Sequence, residues 1–332
     1  MSNKKICIIH LNQIGDLIFS LPLLKALREN YPAASIHSLV KPYLQELLVD
    51  SPYVNQVIPR KSGLIAKYEL LKNIRANNYD LVISLSRSEE CLLITALSNA
   101  EIKAGFSHFP LDLCLNIKEK IEGHNSWYNN AKLLKRLNVK ITKPDYVGLI
   151  KVDKNGSDRN LPDQFVIISP GASKRRHTKT WQKEKFALLM LLLKENYKLS
   201  PILVGGKNDL AYNSEIISIL QKNYREKDIE VLDLTGKINL VALCSIMKRA
   251  RLFVGIDSGI MHMASAIDIP VVGLFGPTDP FYVGPQNNRS IVVREESMEC
   301  VPCYLRRCKH IDCMAKLDVS KVFDACERLL TP

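Results

Sequence analysis

No apolar run in this 332-residue chain is long enough to cross a bilayer as a helix; the longest, FALLMLLL (186–193), has the length of a core helix. Small internal repeats are absent, which excludes solenoids and propellers. The glycine spacing of a dinucleotide fingerprint is missing. There is no recognised nucleic-acid-binding module and no basic strand interleaved with aromatics, so a nucleic-acid partner is not expected. No Asp-x-Asp pair stands at the end of a predicted strand, where a divalent ion would be expected to sit. The first residues, MSNKKICIIHLNQIGD, begin like a signal peptide, but His10, Asn12, Gln13 and Asp16 interrupt the apolar stretch at once. They read as a first strand, and a cytoplasmic protein is expected.

The length exceeds one ordinary core and suits two domains. A formal net charge of +12 implies an anionic partner, such as a membrane surface or a phosphorylated substrate, or else a generally basic surface. Short β-branched runs alternate with helical patterns throughout, which predicts parallel sheets flanked by helices. The expected strands are 5–11, 35–40, 54–58, 80–86 and 102–106, then 165–171, 201–206, 230–236, 252–257 and 271–276. A helix is expected over 18–31, with Leu17, Leu21, Leu24 and Leu27 on one face. The polar, turn-rich segment 138–163 is the linker candidate. It divides the chain into domains 1–150 and 151–332, with the last helix a candidate to pack back on the first. Two doubly wound domains would leave a cleft at the carboxyl ends of their strands, where open α/β sheets bind ligands.

Three loops fall at such ends. In HLNQIGDLIFSLPLLKALRENYP (10–32), Gly15 allows a tight turn and Asp16 sits at the start of a helix. An N-cap and a catalytic group both account for it. In ISPGASKRRHTKTWQKEKF (168–186), Gly171, Ala172 and Ser173 leave backbone N–H groups accessible, and cations follow. That combination suits a diphosphate, although a solvated basic loop is the plainer reading. Trp181, two residues after Lys179, would anchor the chain and aim that ammonium. In VGIDSGIMHMASAIDIPVVGLFGPTDP (254–280), Asp257 ends a strand, and Ser258, Gly259 and Ile260 open a helix whose N–H groups attract an anion. His262 lies one turn in. A capped helix with a satisfied core histidine explains these residues one by one. It explains less well the second tight turn, Gly276 to Pro280, on the next strand.

The sequence resembles the ADP-heptose:lipopolysaccharide heptosyltransferases, inverting glycosyltransferases of the GT-B fold. The resemblance rests on IGDLIFSLPLLKALRENYP, PGASKRRHTKTW, LTGKINLVALCSIMKRARLFVGIDSGIMHMASAIDIPVVGLFGPTDP and CVPCYLRRCKHIDCM, in that order. It implies an α/β protein of two Rossmann-like domains, the first taking the acceptor and the second the nucleotide sugar. It also implies Asp16 as catalytic base, Lys179 on the donor diphosphate with Trp181 beside it, and Asp257, Ser258, Gly259 and His262 on the sugar and phosphates. Gly171, Ala172 and Ser173 would border the phosphates, Ile238 would pack on the adenine, and Asp209 would meet the ribose. The segment SKRRHT departs from the hydroxyl-rich versions of the family. The expected partners are ADP-heptose or another nucleotide sugar, an anionic lipopolysaccharide-core acceptor and the anionic cytoplasmic face of the inner membrane. No cofactor and no metal are expected, and the protein is expected to be a monomer. A relative acting on another surface glycan and a non-catalytic nucleotide-sugar-binding protein are the rival readings.

Nine cysteines are read as reduced thiols. Cys7, Cys91, Cys114, Cys244 and Cys326 are scattered and suit a core. Cys300, Cys303, Cys308 and Cys313 form C-x2-C-x4-C-x4-C, whose first pair has zinc-like spacing and whose later spacings are tighter than most zinc ribbons use. Metal-free thiols are expected; a structural metal site and a redox-sensitive cluster are the alternatives.

Overall fold

The computed structural model describes residues 4–124, 126–152, 160–171, 177–227 and 229–331. The chain divides into two compact units, Met1–Lys151 and Val152–Pro332.

The first unit holds strands β1 (Lys5–Ile9), β2 (Ser35–Val40), β3 (Gln56–Pro59), β4 (Leu81–Ser84), β5 (Ile102–Phe106) and β6 (Ile117–Glu119). They form one sheet in the order β3-β2-β1-β4-β5-β6, parallel throughout. Helices α1 (Ile14–Phe19), α2 (Leu21–Asn30), α3 (Leu64–Ala76), α4 (Glu89–Ala96) and α5 (Trp127–Arg136) connect them. The second unit repeats the plan. Strands β7 (Phe165–Ser169), β8 (Ser200–Leu203), β9 (Leu232–Asp233), β10 (Leu252–Ile256), β11 (Val271–Phe275) and β12 (Ser290–Arg294) take the order β12-β11-β10-β7-β8-β9, again parallel. Its helices are α6 (Lys183–Tyr197), α7 (Leu210–Asn223), α8 (Leu240–Lys248), α9 (Gly259–Ala266), α10 (Pro280–Val283), α11 (Asp312–Ala315) and α12 (Val319–Leu330). Both orders place a topological switch beside the first strand of the unit: between β1 and β4, and between β7 and β10. Central strands β1, β10 and β11 are almost wholly apolar and buried, as a sheet covered on both faces requires.

All ten expected strands are present, and each sheet gains an edge strand. Only three residues long and carrying Lys118 and Glu119, β6 gives no apolar signal. In β12 the signal exists, in Ile291, Val292 and Val293. The helix expected over 18–31 is instead two, broken at Ser20. The break puts Pro22 in the first turn of α2, where its missing N–H and its ring cost nothing. Leu17, Leu21, Leu24 and Leu27 are all buried. The first half of the expected linker is packed rather than extended. Val139, Tyr146, Leu149 and Ile150 are buried, Tyr146 meets Phe19 edge-on at 5.6 Å, and the Asn30 side-chain amide exchanges two hydrogen bonds with the Lys140 backbone. The last helix, α12, lies on the second unit's own core, where Val319, Val322, Ala325 and Cys326 join Phe186, Met190 and Val272.

Candidate active site

Strands β7 and β10 are neighbours, so the segments that leave their carboxyl ends emerge side by side. The first brings Lys179, on a short 3-10 turn (His177–Lys179); the second brings Asp257. Their side chains form an ion pair through Asp257 Oδ2, and Lys179 Nζ also lies 3.4 Å from the Asp257 carbonyl. On the next strand, the residue three past the end of β11 is Thr278, whose hydroxyl donates to the same Oδ2 at 2.7 Å. His262 Nε2 stands 3.9 Å from Oδ1. Burial alone would raise the Asp257 carboxyl, but the Lys179 ammonium, His262 and the two hydrogen bonds hold it below its ordinary value. His262 is buried too, and burial pushes it down to about 4 against the pull of Asp257, so it is neutral at pH 7. The ammonium is thus oriented at the switch point of the second sheet, on a side chain only 12% exposed, beside the start of a helix.

The N-cap of that helix, α9, is Ser258, whose Oγ accepts from the Met261 N–H at 3.4 Å. Asp257 is therefore not the cap and is left to Lys179. Gly259 is the first helical residue. With a helix N-terminus, a cation and a neutral imidazole together, this corner can receive a phosphate and orient hydroxyls near it.

Trp181 is 1% exposed, donates its indole N–H to the Leu317 carbonyl at 2.9 Å and stands edge-on to Phe186. It anchors the chain below Lys179 and cannot face a ligand, which corrects its expected place among the donor contacts. Thr178 adds a second anchor, its hydroxyl donating to the Leu305 carbonyl at 2.9 Å. Ala172 and Ser173 lie outside the described residues.

Gly171 and Asp209 are brought together. A Cβ on Gly171 would lie 2.4 Å from the Asp209 carboxyl carbon, so only glycine leaves that carboxylate its place. Asp209 accepts the Gly206 N–H at 2.8 Å, and burial nonetheless raises its carboxyl above the ordinary value. Gly236, at φ +67°, turns the next segment back so that its N–H reaches the Gly205 carbonyl at 2.9 Å. Ile238, two residues on, is half-buried just before α8. Gly171, Asp209 and Ile238 thus follow β7, β8 and β9 in turn along one sheet edge.

In the first unit Asp16 is the third residue of α1, and Gln13 occupies the N-cap position without a side-chain cap. Gly15 is helical rather than a tight turn. The turn expected at Gly15 is thereby corrected; Asp16 does stand beside the start of the helix, in its first turn, but not as its N-cap. The loop before α1 is clamped from several sides. The Tyr43 hydroxyl donates to the Asn12 carbonyl, and the Arg60 guanidinium donates to the Asn12 side chain and to Glu90, the latter at 2.6 Å. Burial, with the nearby Asp16 charge, pushes the Tyr43 phenol up. Beneath, His10 is wholly buried between Ser20 (2.8 Å) and Ser38 (3.2 Å), and burial drives it down to about 3. Because the Ser20 hydroxyl proton goes to the Leu17 carbonyl, Nδ1 carries the imidazole proton and Nε2 accepts from Ser38. Asp16 borders a narrow recess with Leu11, Phe106 and Asn129.

Sequence reasoning missed Thr278, Arg60 and His10 as site-building groups. A hydroxyl within the GPTDP turn was the visible sign of the first; nothing local marks the other two.

All nine cysteines are free thiols. Burial pushes Cys313 up to about 11, with Cys303, Cys300 and Cys308 near enough to add to the rise. Among the described residues no group of three or more His, Cys, Asp or Glu side chains is drawn together to hold a metal ion. What the segment does is brace the site. The N–H groups of Cys303 and Tyr304 both donate to the Pro277 carbonyl, at 3.0 and 2.8 Å, next to Thr278.

The chain is similar in structure to a solved E. coli ADP-heptose lps heptosyltransferase II, over 98% of each chain with a TM-score of 0.81 and 21% identity. The fold is that of the GT-B glycosyltransferases. Lipopolysaccharide heptosyltransferase 3 of Escherichia coli is 27% identical over 95% of this chain and 96% of its own. Lipopolysaccharide heptosyltransferase 2 of Salmonella typhimurium is 26% identical over 87% and 88%. Residues 67–313 match Glycosyltransferase family 9 (heptosyltransferase), and the chain belongs to that family.

Proposed function

We propose that this protein is an inverting, metal-independent heptosyltransferase that moves heptose from ADP-heptose to the inner core of lipopolysaccharide, working at the cytoplasmic face of the inner membrane. The observation that carries the reading is the buried set Lys179, Asp257, Thr278 and His262 at the switch point of the second sheet. The names of the full-length relatives support the donor and the pathway step.

In the reaction the donor diphosphate leaves the anomeric carbon while an acceptor hydroxyl attacks from the opposite face. Negative charge grows on the leaving phosphate. Lys179, already aimed by Asp257, and the first-turn N–H groups of α9 stabilise it without a divalent ion. Asp257, Ser258, Gly259 and neutral His262 take the sugar hydroxyls and phosphate oxygens. Asp209 takes the ribose, and Ile238 packs on the adenine. Asp16 accepts the acceptor proton.

The test is transfer from ADP-heptose to a purified core acceptor that lacks the heptose, read as a mass gain of one heptose and release of ADP. Transfer is expected to persist in EDTA. Transfer only from a different nucleotide sugar, or onto a different glycan, would favour the first rival; ADP-heptose binding with no turnover on any core acceptor would favour the binding protein.

A further inference from the structure

The first unit exposes large apolar side chains where the second exposes few. Those on α3 are the most concentrated: Leu64 is 86% exposed, Ile65 81% and Tyr68 67%. At about 100° per residue, an arc of roughly 120° on this helix carries Leu71, Leu64, Arg75, Tyr68, Lys72 and Ile65 and no carboxylate. Glu69 falls outside the arc, and the buried Leu70 and Ile74 hold the opposite side to the core. Lys67, on the flank, is paired with Glu90 at 3.2 Å, so Lys72 and Arg75 supply the arc's charge. Because α3 follows β3, its apolar first turn stands at the carboxyl edge of the parallel sheet, the edge from which α1 carries Asp16. Phe109, 81% exposed, leaves the same edge after β5.

An apolar patch interleaved with cations and free of anions is costly in water and fits one kind of partner, the surface of an anionic bilayer. There Leu and Ile enter the acyl boundary, Tyr sits at headgroup level and Lys and Arg meet phosphates. We infer that the Leu64–Arg75 face of α3 is a docking surface for an anionic phospholipid membrane, holding the Asp16 edge of the first unit against the headgroups. The inference rests on the proposed lipid-borne acceptor for its purpose, but not for its chemistry.

The experiment is flotation of the full-length protein with vesicles of phosphatidylethanolamine and phosphatidylglycerol, and with vesicles of phosphatidylcholine alone. The parent is expected on the anionic vesicles and not on the neutral ones. Leu64→Ser/Ile65→Ser should lower the partition coefficient by about 10- to 100-fold, from the apolar area withdrawn. Lys72→Ser/Arg75→Ser should lower it by about 25-fold, at about fivefold for each charge. Both variants change exposed side chains, and both should transfer heptose to an acyl-free core acceptor at the parental rate. A parent that ignores anionic vesicles, or that binds neutral ones equally, overturns the inference. So do variants that float like the parent. If the parent floats as expected but transfers to no acceptor, the surface stands and the functional reading falls; if transfer is intact and flotation absent, the surface falls alone.

Discussion

Replacing Lys179 with methionine separates the structural and chemical roles of the ion pair at the centre of the site. Methionine keeps the apolar stem and removes the ammonium, leaving Asp257 buried with the Thr278 hydroxyl on Oδ2. Breaking a buried pair from one side costs about 3–5 kcal/mol. Thr278 keeps one charge-assisted bond, so about 3 kcal/mol, the lower end, is expected. At about 2–4 °C per kcal/mol, the second unit should melt roughly 6–12 °C lower. Loss of the contact to phosphate should remove about 1.5–3 kcal/mol of transition-state binding, or roughly 10- to 150-fold in kcat/KM for the nucleotide sugar.

Lys179→Met/Asp257→Leu then parts the two effects. An apolar replacement of a buried pair is often neutral or better, so melting should return to within about 1 kcal/mol of the parent while transfer stays low. The pH dependence has a definite sign. In the parent, Asp257 is held below its ordinary value, so its contribution is complete above about pH 4 and is lost as pH falls through the folded-state value. In Lys179→Met, burial dominates and the carboxyl rises, so the deficit should shrink on acidification as the stranded charge takes a proton. Melting scans and steady-state kinetics at subsaturating ADP-heptose measure all of this. A Lys179→Met protein that melts with the parent and keeps its kcat/KM would refute the account.

Asp16→Asn should slow single-turnover transfer about 10²- to 10⁴-fold if Asp16 takes the acceptor proton. Its charge in the first turn of α1 is worth only about 0.3–1 kcal/mol to the helix, so a stable variant with normal transfer would end the catalytic assignment. Gly171→Ala must push Asp209 off the Gly206 N–H; a loss of roughly 1–3 kcal/mol and weaker ADP binding are expected, and calorimetry showing parental ADP affinity would remove Asp209 from the nucleotide site. His10 and His262 are buried neutral at about 3 and about 4, whereas the unfolded chain takes these protons near pH 6.5, so stability should be full above that pH and fall below it. Each histidine should contribute a slope approaching about 1.4 kcal/mol per pH unit near pH 5 to the unit that holds it, and denaturant midpoints flat from about pH 7 to 5 would contradict this.

The alternation of β-branched runs with helical periods determined two parallel α/β sheets, because each pattern is local and its period belongs to one kind of element. It also determined that the chemistry-bearing loops leave strand carboxyl ends, since every crossover in a parallel sheet starts at that edge and re-enters the next strand at the opposite one. Pro22 was visible in the sequence, but the break it forces at Ser20 depends on both flanking helices burying their leucines. Trp181 was legible as an anchor from its spacing to Lys179; the family resemblance also set it beside the donor, and its burial under Lys179 rules that out. The set Lys179, Asp257, Thr278 joins residues 78 and 21 positions apart. Only the strand order β11-β10-β7 makes them neighbours, and short-range propensity carries no information about strand order. His10 and Arg60 likewise gave no local sign. A buried imidazole and a buried guanidinium acquire their roles from the hydroxyls and carboxylate that packing brings to them, and those come from β2, the break between α1 and α2, and α4.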